Sequence, residues 1–506
     1  MRKGDPGGTA VSDRRTPAPS RHTHARVNLT QGNRFRSGGV STRHDDAGEA
    51  AAIGTFRHSD GDFLDRHPEI EVLEAFVIDA NGVPRGKWIP RDRAHDILAH
   101  GMALPHSIFA LDVWGRDVMA AGLAEGTGDP DGLCLPIPGT IAPVTWLSRP
   151  TAQLMLGMRN ANGGDFYADP RNVLSSVLRK YERQKLTPVV ALEFEFYIID
   201  PVHSALDPVR PPNSRDVRWS SRQTQVLSIS ELHEFEEVFG DIARACDAQH
   251  VPIDTILREN GPGQYEVNLK HVDDALLAAD HAILLKRIVK GVTRRHDYDA
   301  TFMAKPYGNN AGSGMHVHLS VLDAQGRNIF APPDNRPAPE LLSAVAGLIA
   351  KLPDCMAIFA PNANSYRRVT LSEHAPMYAS WGFETRSAAI RIVSSRPEAS
   401  RIEHRVAGAD ANPYLVLAAI LEAALQGIND KLQPGTPLVA DNHTSEHELL
   451  PNNWDYALEL FSASRFTAEC LGPDYKALYL ACKNQELAEF RGRVTDVEYD
   501  AFIKTV

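Results

Sequence analysis

Alternating and helix-periodic runs of apolar residues divide most of this chain into recognisable elements. Val72, Leu73, Phe76, Val77 and Ile78 precede Asn81-Gly82, and the chain returns through Arg85 to Ile89. An Asn-Gly pair supplies the positive φ angles of a tight turn, so this stretch predicts a hairpin. Asp169-Pro170 opens a helix, with Asp as N-cap, Pro in the first turn, and Val173, Leu174, Val177, Leu178 and Tyr181 on one stripe. From Val190 to Ile199 a strict period of two sends Leu192, Phe194, Phe196 and Ile198 to one face and Ala191, Glu193, Glu195 and Tyr197 to the other. A second amphipathic helix is predicted from about Glu231 to Gln249, with Phe235, Val238, Phe239, Ile242 and Cys246 inward, and a third from Asp273 to Arg295. Further alternating stretches follow Gly-Pro-Gly at 261–263, cover Met315 to Ser320, and run from Arg401 to Arg405. Single strands set between helices, without a regular βαβα order, predict an α+β fold. The predicted organisation is an extension over 1–62, a small domain over 63–167 and a larger one over 168–506.

Residues 1 to about 62 are rich in Arg, His, Ser, Gly, Thr and Asp and nearly devoid of aliphatic side chains. Such a segment cannot bury a core and reads as disordered. The remainder of the 506 residues, in a chain 43% hydrophobic, is ordinary for a globular protein. No apolar run approaches the ~20 residues of a membrane span. Five cysteines without paired or metal-finger spacing, and nothing like a secretory h-region, make a reducing cytoplasm the expected location. A net charge of −11 argues against polyanionic partners such as nucleic acid and suits a cationic substrate.

On the 190–199 strand, Glu193 and Glu195 share a face roughly 7 Å apart. Alone, a Glu-x-Glu pair reads as a solvated strand edge; like charges on a core strand require a cation between them. Two further stretches favour the cation. In Arg258-Glu259-Asn260-Gly261-Pro262-Gly263-Gln264-Tyr265-Glu266-Val267-Asn268 the turn brings Glu259 near Glu266, with Asn268 on the same face as Glu266. In Gly312-Ser313-Gly314-Met315-His316-Val317-His318-Leu319-Ser320 two imidazoles and a hydroxyl share one face after a glycine-rich turn. The Arg401 to Arg405 strand adds Arg401, Glu403 and Arg405. A site rich in oxygen, poor in nitrogen and free of thiolates suits Mg²⁺ or Mn²⁺. The neighbouring arginines, with Arg367, Arg368, Arg386 and Arg391, point to a phosphate-bearing substrate.

These motifs, together with Lys305-Pro306, Asn364 to Arg368, Arg386 to Arg391 and Ala409-Asp410-Ala411-Asn412-Pro413-Tyr414, resemble the glutamine synthetase family from about residue 68 onward. The resemblance implies a small β-grasp domain followed by a split β-barrel wrapped in helices, assembled as stacked rings, usually dodecamers. It implies an ATP-dependent reaction in which the γ-carboxylate of glutamate takes the terminal phosphate and an amine then displaces it. By the family pattern Glu195, Glu259 and Glu266 hold one divalent ion, and Glu193, His316 and Glu403 another. Arg386 and Arg405 face the phosphate, while Arg368 and Arg391, with Gly312, face glutamate. Arg401 and Ser320 lie on the nucleotide side. For the acid supplied by a neighbouring subunit, Asp112 and Asp117 are both candidates, and spacing to Asp131 favours Asp117.

The chain departs from that pattern where family members carry an acid before the flap's Ala-Pro. Here His374 precedes Ala375-Pro376. An imidazole of reference pKa ~6.5 no longer makes a purely anionic ammonium pocket but can serve as general base for a larger amine; alternatively Glu373 takes that place. Ala311 stands beside Gly312 where glutamate-binding relatives have Asn. No tyrosine in an adenylylation context lies between Asp441 and Leu450, so that regulation is not expected. The pattern is most similar to the gamma-glutamylpolyamine synthetase branch. The expected function is ATP-dependent ligation of glutamate to a polyamine or alkyl monoamine through a γ-glutamyl phosphate. The alternatives are an ammonium-using glutamine synthetase and a non-catalytic structural relative.

Overall fold

The Asn81-Gly82 turn joins β1 (Val72–Ile78) to β2 (Pro84–Pro90) in antiparallel register. Gly82 takes φ +74°, and the buried Asp79 carboxylate clamps the turn by accepting the N–H groups of Asn81 and Val83, both at 2.9 Å. The computed structural model describes residues 60, 62–124, 128–201, 209–212, 225–332, 336–371, 375–394, 396–439 and 447–506, all within one compact unit, Gly54–Val506. Nearly all of the expected N-terminal extension, Glu373, His374 and residues 441–446 lie outside the described residues. Asp60 does not: it is buried, and its Oδ2 accepts the Gly139 N–H at 2.6 Å.

The hairpin belongs to a six-stranded sheet with β3 (Met102–Pro105), β4 (Asp131–Pro136), β5 (Ala142–Pro143) and β6 (Thr151–Arg159), in the order β2-β1-β6-β4-β3 with β5 also on β6. The β1–β6 pair is parallel. Asp169 then caps the helix Pro170–Arg183 by accepting the Arg171 N–H, and Val173, Leu174, Val177 and Tyr181 are buried as the stripe predicts.

The second sheet contains β7 (Thr187–Ile199), β8 (Ile253–Arg258), β9 (Gln264–Leu269), β10 (Asp299–Thr301), β11 (Met315–Leu322), β13 (Trp381–Phe383), β14 (Ile390–Val393) and β15 (Arg401–His404). A short separate ladder pairs β12 (Tyr378–Ala379) with β16 (Glu448–Leu449). The order β13-β14-β15-β11-β7-β9-β8, with β10 also on β7, curves into a nearly closed, barrel-like sheet. Leu192, Phe194, Phe196 and Ile198 are fully buried on one face of β7.

Two sequence expectations need correction. The helix expected over Glu231–Gln249 is two, Ile229–Glu234 and Glu236–Ala248, because Phe235 leaves helical geometry at ψ 23° to pack its ring against Tyr265 and Tyr298. The helix Pro339–Phe359 has the length and hydropathy to cross a membrane, contrary to the reading of its sequence. It is a buried core helix, crossing Pro413–Asp430 where Gly347 meets Gly427 so closely that a Cβ on either would strike the other helix's backbone. Charged residues at 340, 351 and 354 interrupt the run in sequence without preventing its burial.

Candidate active site

Strand register collects the predicted residues. On β7, Glu193 faces His316 of β11 on one side and Asn268 of β9 on the other, while Glu195 faces Glu266. On the far side of β11, His318 pairs with Glu403 of β15, which pairs with Arg391 of β14. A period of two in each strand therefore presents a continuous row of carboxylates and imidazoles to one face.

The ligating atoms of Glu195, Glu259 and Glu266 lie within 4.8 Å of one another, the set expected for one ion. The other expected set divides. Glu193 groups with Glu266 and His316 in one cluster and with His318 and Glu403 in another. His316 Nδ1 is 3.3 Å from Glu193 and 3.9 Å from Glu403. Glu403 is also drawn to cations: its Oε2 accepts Arg391 Nη1 at 2.7 Å, and its Oε1 meets Arg405. All six residues thus line one region, with Glu193 and Glu266 shared between clusters.

Electrostatics marks the crowding. Burial, then the charges of Glu193, Glu195 and Glu259, push the Glu266 carboxyl up to about 9. Burial and Glu195 push Glu259 up to about 7, against the Asn260 N–H and Arg386. At Glu193 burial acts upward too, but hydrogen bonds from His316 and His318 overcome it and hold the carboxyl well below the usual range. Glu403 is also lowered: His316, Arg405, His318 and Arg391 outweigh its burial. Carboxylates that raise one another's pKa at this spacing need a cation, and the donor set, mostly oxygen with one or two imidazoles, fits Mg²⁺ or Mn²⁺.

Three organising residues carried no assigned role in the sequence reading. Arg401 Nε, which can only donate, is 3.1 Å from His318 Nδ1. His318 must accept there, so its proton sits on Nε2 and is donated to Glu193 Oε1 at 2.8 Å. Asn268 Nδ2 donates to the same oxygen at 2.8 Å, which leaves Glu193 Oε2 toward His316. Arg258, fully buried, reaches Glu231 and the carbonyls of Glu259, Gly261 and Gln264, and so fixes the loop that carries Glu259. The alternation signalled His318 and Asn268; nothing in the sequence shows the inward turn of Arg258.

The glycine-rich turn joins this network. Gly314 N–H donates to Glu195 Oε2 at 2.7 Å, Gly312 O accepts Gln264 Nε2 at 2.9 Å, and Ala311 O accepts the Tyr197 hydroxyl at 2.7 Å. Arg368 lies beneath the turn, buried, donating to Val406 O at 2.7 Å and Arg405 O at 3.3 Å. Its guanidinium is thus engaged by backbone. Arg386 is exposed on the turn between β13 and β14, close enough to Glu259 to act on its charge. Ser320 is half-buried on β11, on the His316/His318 side by alternation.

The two loop aspartates differ. Asp112 is buried and saturated: it accepts from Trp114 N, Arg116 N, Arg116 Nε and Gln485 Nε2, so it builds its own loop. Asp117 is exposed at the end of that loop.

Residues 167–502 match the glutamine synthetase catalytic domain. Gamma-glutamylputrescine synthetase PuuA of Escherichia coli (strain K12) is 37% identical over 442 residues, covering 87% of this chain and 93% of that protein. Glutamate–isopropylamine ligase of Pseudomonas sp is 31% identical over 457 residues, covering 88% and 97%. Among solved structures, a GmaS/ADP complex superposes with a TM-score of 0.75 at 28% identity, covering 88% of this chain and 99% of that one.

Proposed function

Because this chain belongs to the glutamine synthetase family, and is accordingly an ATP-dependent C–N ligase, we propose that it joins the γ-carboxylate of glutamate to a polyamine or alkyl monoamine. The observation that carries the reading is the run of Glu193, Glu195, Glu259, Glu266, His316 and Glu403 along one face, the donor set a divalent-cation site requires. Two such ions per site would neutralise the phosphates of ATP, so that one anion can attack another.

In the proposed reaction a glutamate γ-carboxylate oxygen attacks the terminal phosphorus of ATP, and ADP leaves. The amine nitrogen then attacks the acyl carbon of the γ-glutamyl phosphate, inorganic phosphate departs, and a base takes the amine proton. Arg386 and Arg405 are assigned to the transferring phosphoryl group, which guanidinium forks suit. Arg391 and Gly312 are assigned to glutamate, with Arg368 orienting it from beside the Gly312–Gly314 turn. Arg401 and Ser320 are assigned to the nucleotide side, Arg401 acting also through His318 on Glu193. His374 is assigned as the base and Asp117 as the acid that draws a cationic amine, in the family's stacked-ring assembly, from a neighbouring subunit.

The amine preference is supported by His374 in place of the flap acid and by the names of the two relatives, each of which joins glutamate to an amine. A reducing cytoplasm is the proposed location, in keeping with five free, buried cysteines. Ammonium use remains the rival reading. Coupled ADP release from purified protein, comparing ammonium with putrescine, spermidine, ethanolamine and small monoamines, separates them. The proposal expects an organic amine to give the highest kcat/KM, and ammonium as best substrate overturns it. A non-catalytic relative is disfavoured by the presence of all six candidate ligands, and any amine-dependent ADP release excludes it.

A further inference from the structure

The face of β7 opposite the carboxylates borders a second chamber. Phe194 and Phe196 point away from Glu193 and Glu195, and Phe302 packs on both, with ring centroids 6.1 and 5.4 Å apart. Phe302 in turn lines a cleft of about 640 Å³ between the β1–β2 turn, the helix Ala275–Arg295 and the segment Pro361–Asn364. That volume matches a small-molecule site. None of the six carboxylate and imidazole residues described above lines it.

Its charge is lopsided. The helix Ala275–Arg295 contributes Lys286, Arg287, Lys290 and Arg294, against Glu74 and Asp410 in the same lining. Arg287 is matched by Glu74 and Arg294 by Asp299. Asp410 Oδ2 accepts from neutral donors, Asn362 Nδ2 at 2.8 Å and Ser365 Oγ at 2.6 Å, while its Oδ1 is buried without a hydrogen-bond partner and its charge acts on Lys286 from beyond ion-pair distance. Among the described residues no carboxylate comes within ion-pair distance of the remaining two ammonium groups, Lys286 and Lys290. Lys286 Nζ donates to the Ala409 carbonyl at 2.8 Å and lies 5.4 Å from the Phe302 ring centroid; Lys290 Nζ lies 5.8 Å from the same centroid. Burial, followed by the charge of Lys290, pushes the Lys286 ammonium down to about 7 against the opposing charge of Asp410. Two amines that repel each other across one aromatic ring are a poor arrangement for stability alone and a good one for receiving an anion.

The rest of the wall is apolar. Trp146 packs where Gly291 has no side chain, since a Cβ there would run into the indole, and Ile283, Met303 and Ile358 complete the surface. A free inorganic anion would leave that surface unused.

We propose that this cleft is a second ligand site, separate from the catalytic face, that takes a small organic anion: a carboxylate or phosphate head held between Lys286 and Lys290, with an apolar body against Phe302 and Trp146. The reading does not depend on which amine the enzyme ligates.

Isothermal titration calorimetry of the full-length protein, with ADP and Mg²⁺ present to occupy the nucleotide side, tests it with benzoate, phenyl phosphate, inorganic phosphate and cyclohexylammonium. Benzoate and phenyl phosphate distinguish the two head groups, and binding of either supports the site. Lys290→Met should weaken that binding by about tenfold while leaving ADP release unchanged, because Lys290 is an exposed residue and lies outside the catalytic row. Lys290→Arg should restore it. Equal binding by Lys290→Met, no binding of either organic anion, inorganic phosphate binding as tightly as phenyl phosphate, or cyclohexylammonium binding as tightly as benzoate would each overturn the proposal.

Discussion

Raising the pH from 7 to 9 should tighten Mg²⁺ binding at the carboxylate cluster by about a hundredfold. Glu266 sits at about 9 and Glu259 at about 7, so at neutral pH the first is protonated and the second half protonated. A cation entering the Glu195, Glu259 and Glu266 group has to displace those protons. At ~1.4 kcal/mol per pH unit, clearing Glu266 costs about 2.7 kcal/mol at pH 7 and nearly nothing at pH 9, a factor of about 100. At pH 7 between about one and two protons should leave per ion bound there, and fewer than one at pH 9. Stability follows with a definite sign. A carboxyl whose folded pKa lies above its unfolded value contributes nothing below the unfolded value, and destabilises the fold as pH rises from there toward the folded pKa. Without divalent ions, Tm should therefore fall between about pH 5 and pH 9, and saturating Mg²⁺ should abolish the slope. Calorimetric titrations in two buffers of different ionisation enthalpy, at pH 7, 8 and 9, count the protons directly. Glu266→Gln should raise the cation-free Tm at pH 8 and remove about one released proton. An affinity flat from pH 7 to 9, or binding without proton release, would refute the reasoning.

Three other substitutions probe the surrounding network. Arg368→Met removes two hydrogen bonds from buried carbonyls and should cost about 2–4 kcal/mol in denaturant unfolding; loss of activity with full stability would show that its role is at the substrate. His318→Phe strands Arg401 Nε and leaves Asn268 as the remaining donor to Glu193 Oε1, so Mg²⁺ affinity should drop about 10- to 100-fold with a small change in Tm, read by titration and thermal melts. His374→Glu restores the family's acid before Ala375-Pro376 and should raise ammonium-dependent ADP release relative to the best amine; an unchanged ratio would remove His374 from the selectivity argument.

What the sequence made legible was local and periodic. Glu193, Glu195, Glu266 and His316 each sit in a strand whose alternate positions are apolar, and Glu403 alternates with Ile402 and His404, so the face on which each side chain emerges could be read from four or five consecutive residues. The order in which those strands pair could not, because β7 meets β11 and β9 across separations of many tens of residues. The trio of Glu193, His316 and Glu403 rested on the family resemblance, and the folded chain sets His316 beside both carboxylates while sharing Glu193 between two clusters. Arg368 and Arg258 were opaque for a different reason. An arginine beside a ligand motif looks the same in sequence whether its guanidinium reaches a substrate or is satisfied by backbone carbonyls, and both are buried against carbonyls here.

The same period of two also explains why one strand can border two chemically opposite chambers. Each residue of β7 that gives the carboxylate face its charge is followed by an aromatic or aliphatic one on the other face, where Phe194 and Phe196 meet Phe302. Lys286 lies 6.0 Å from the Phe194 ring centroid, behind the strand that carries Glu193 and Glu195. At that depth an unscreened ammonium contributes positive potential to the carboxylates through the sheet, and an anion seated beside it would cancel part of that contribution. Anion binding behind the sheet should accordingly raise the carboxyl pKa values in front. If the chambers are coupled in this way, saturating benzoate should shift the pH at which Mg²⁺ binding reaches half its maximal strength upward; an unmoved midpoint in a protein that binds benzoate would mean that the strand insulates the two faces completely.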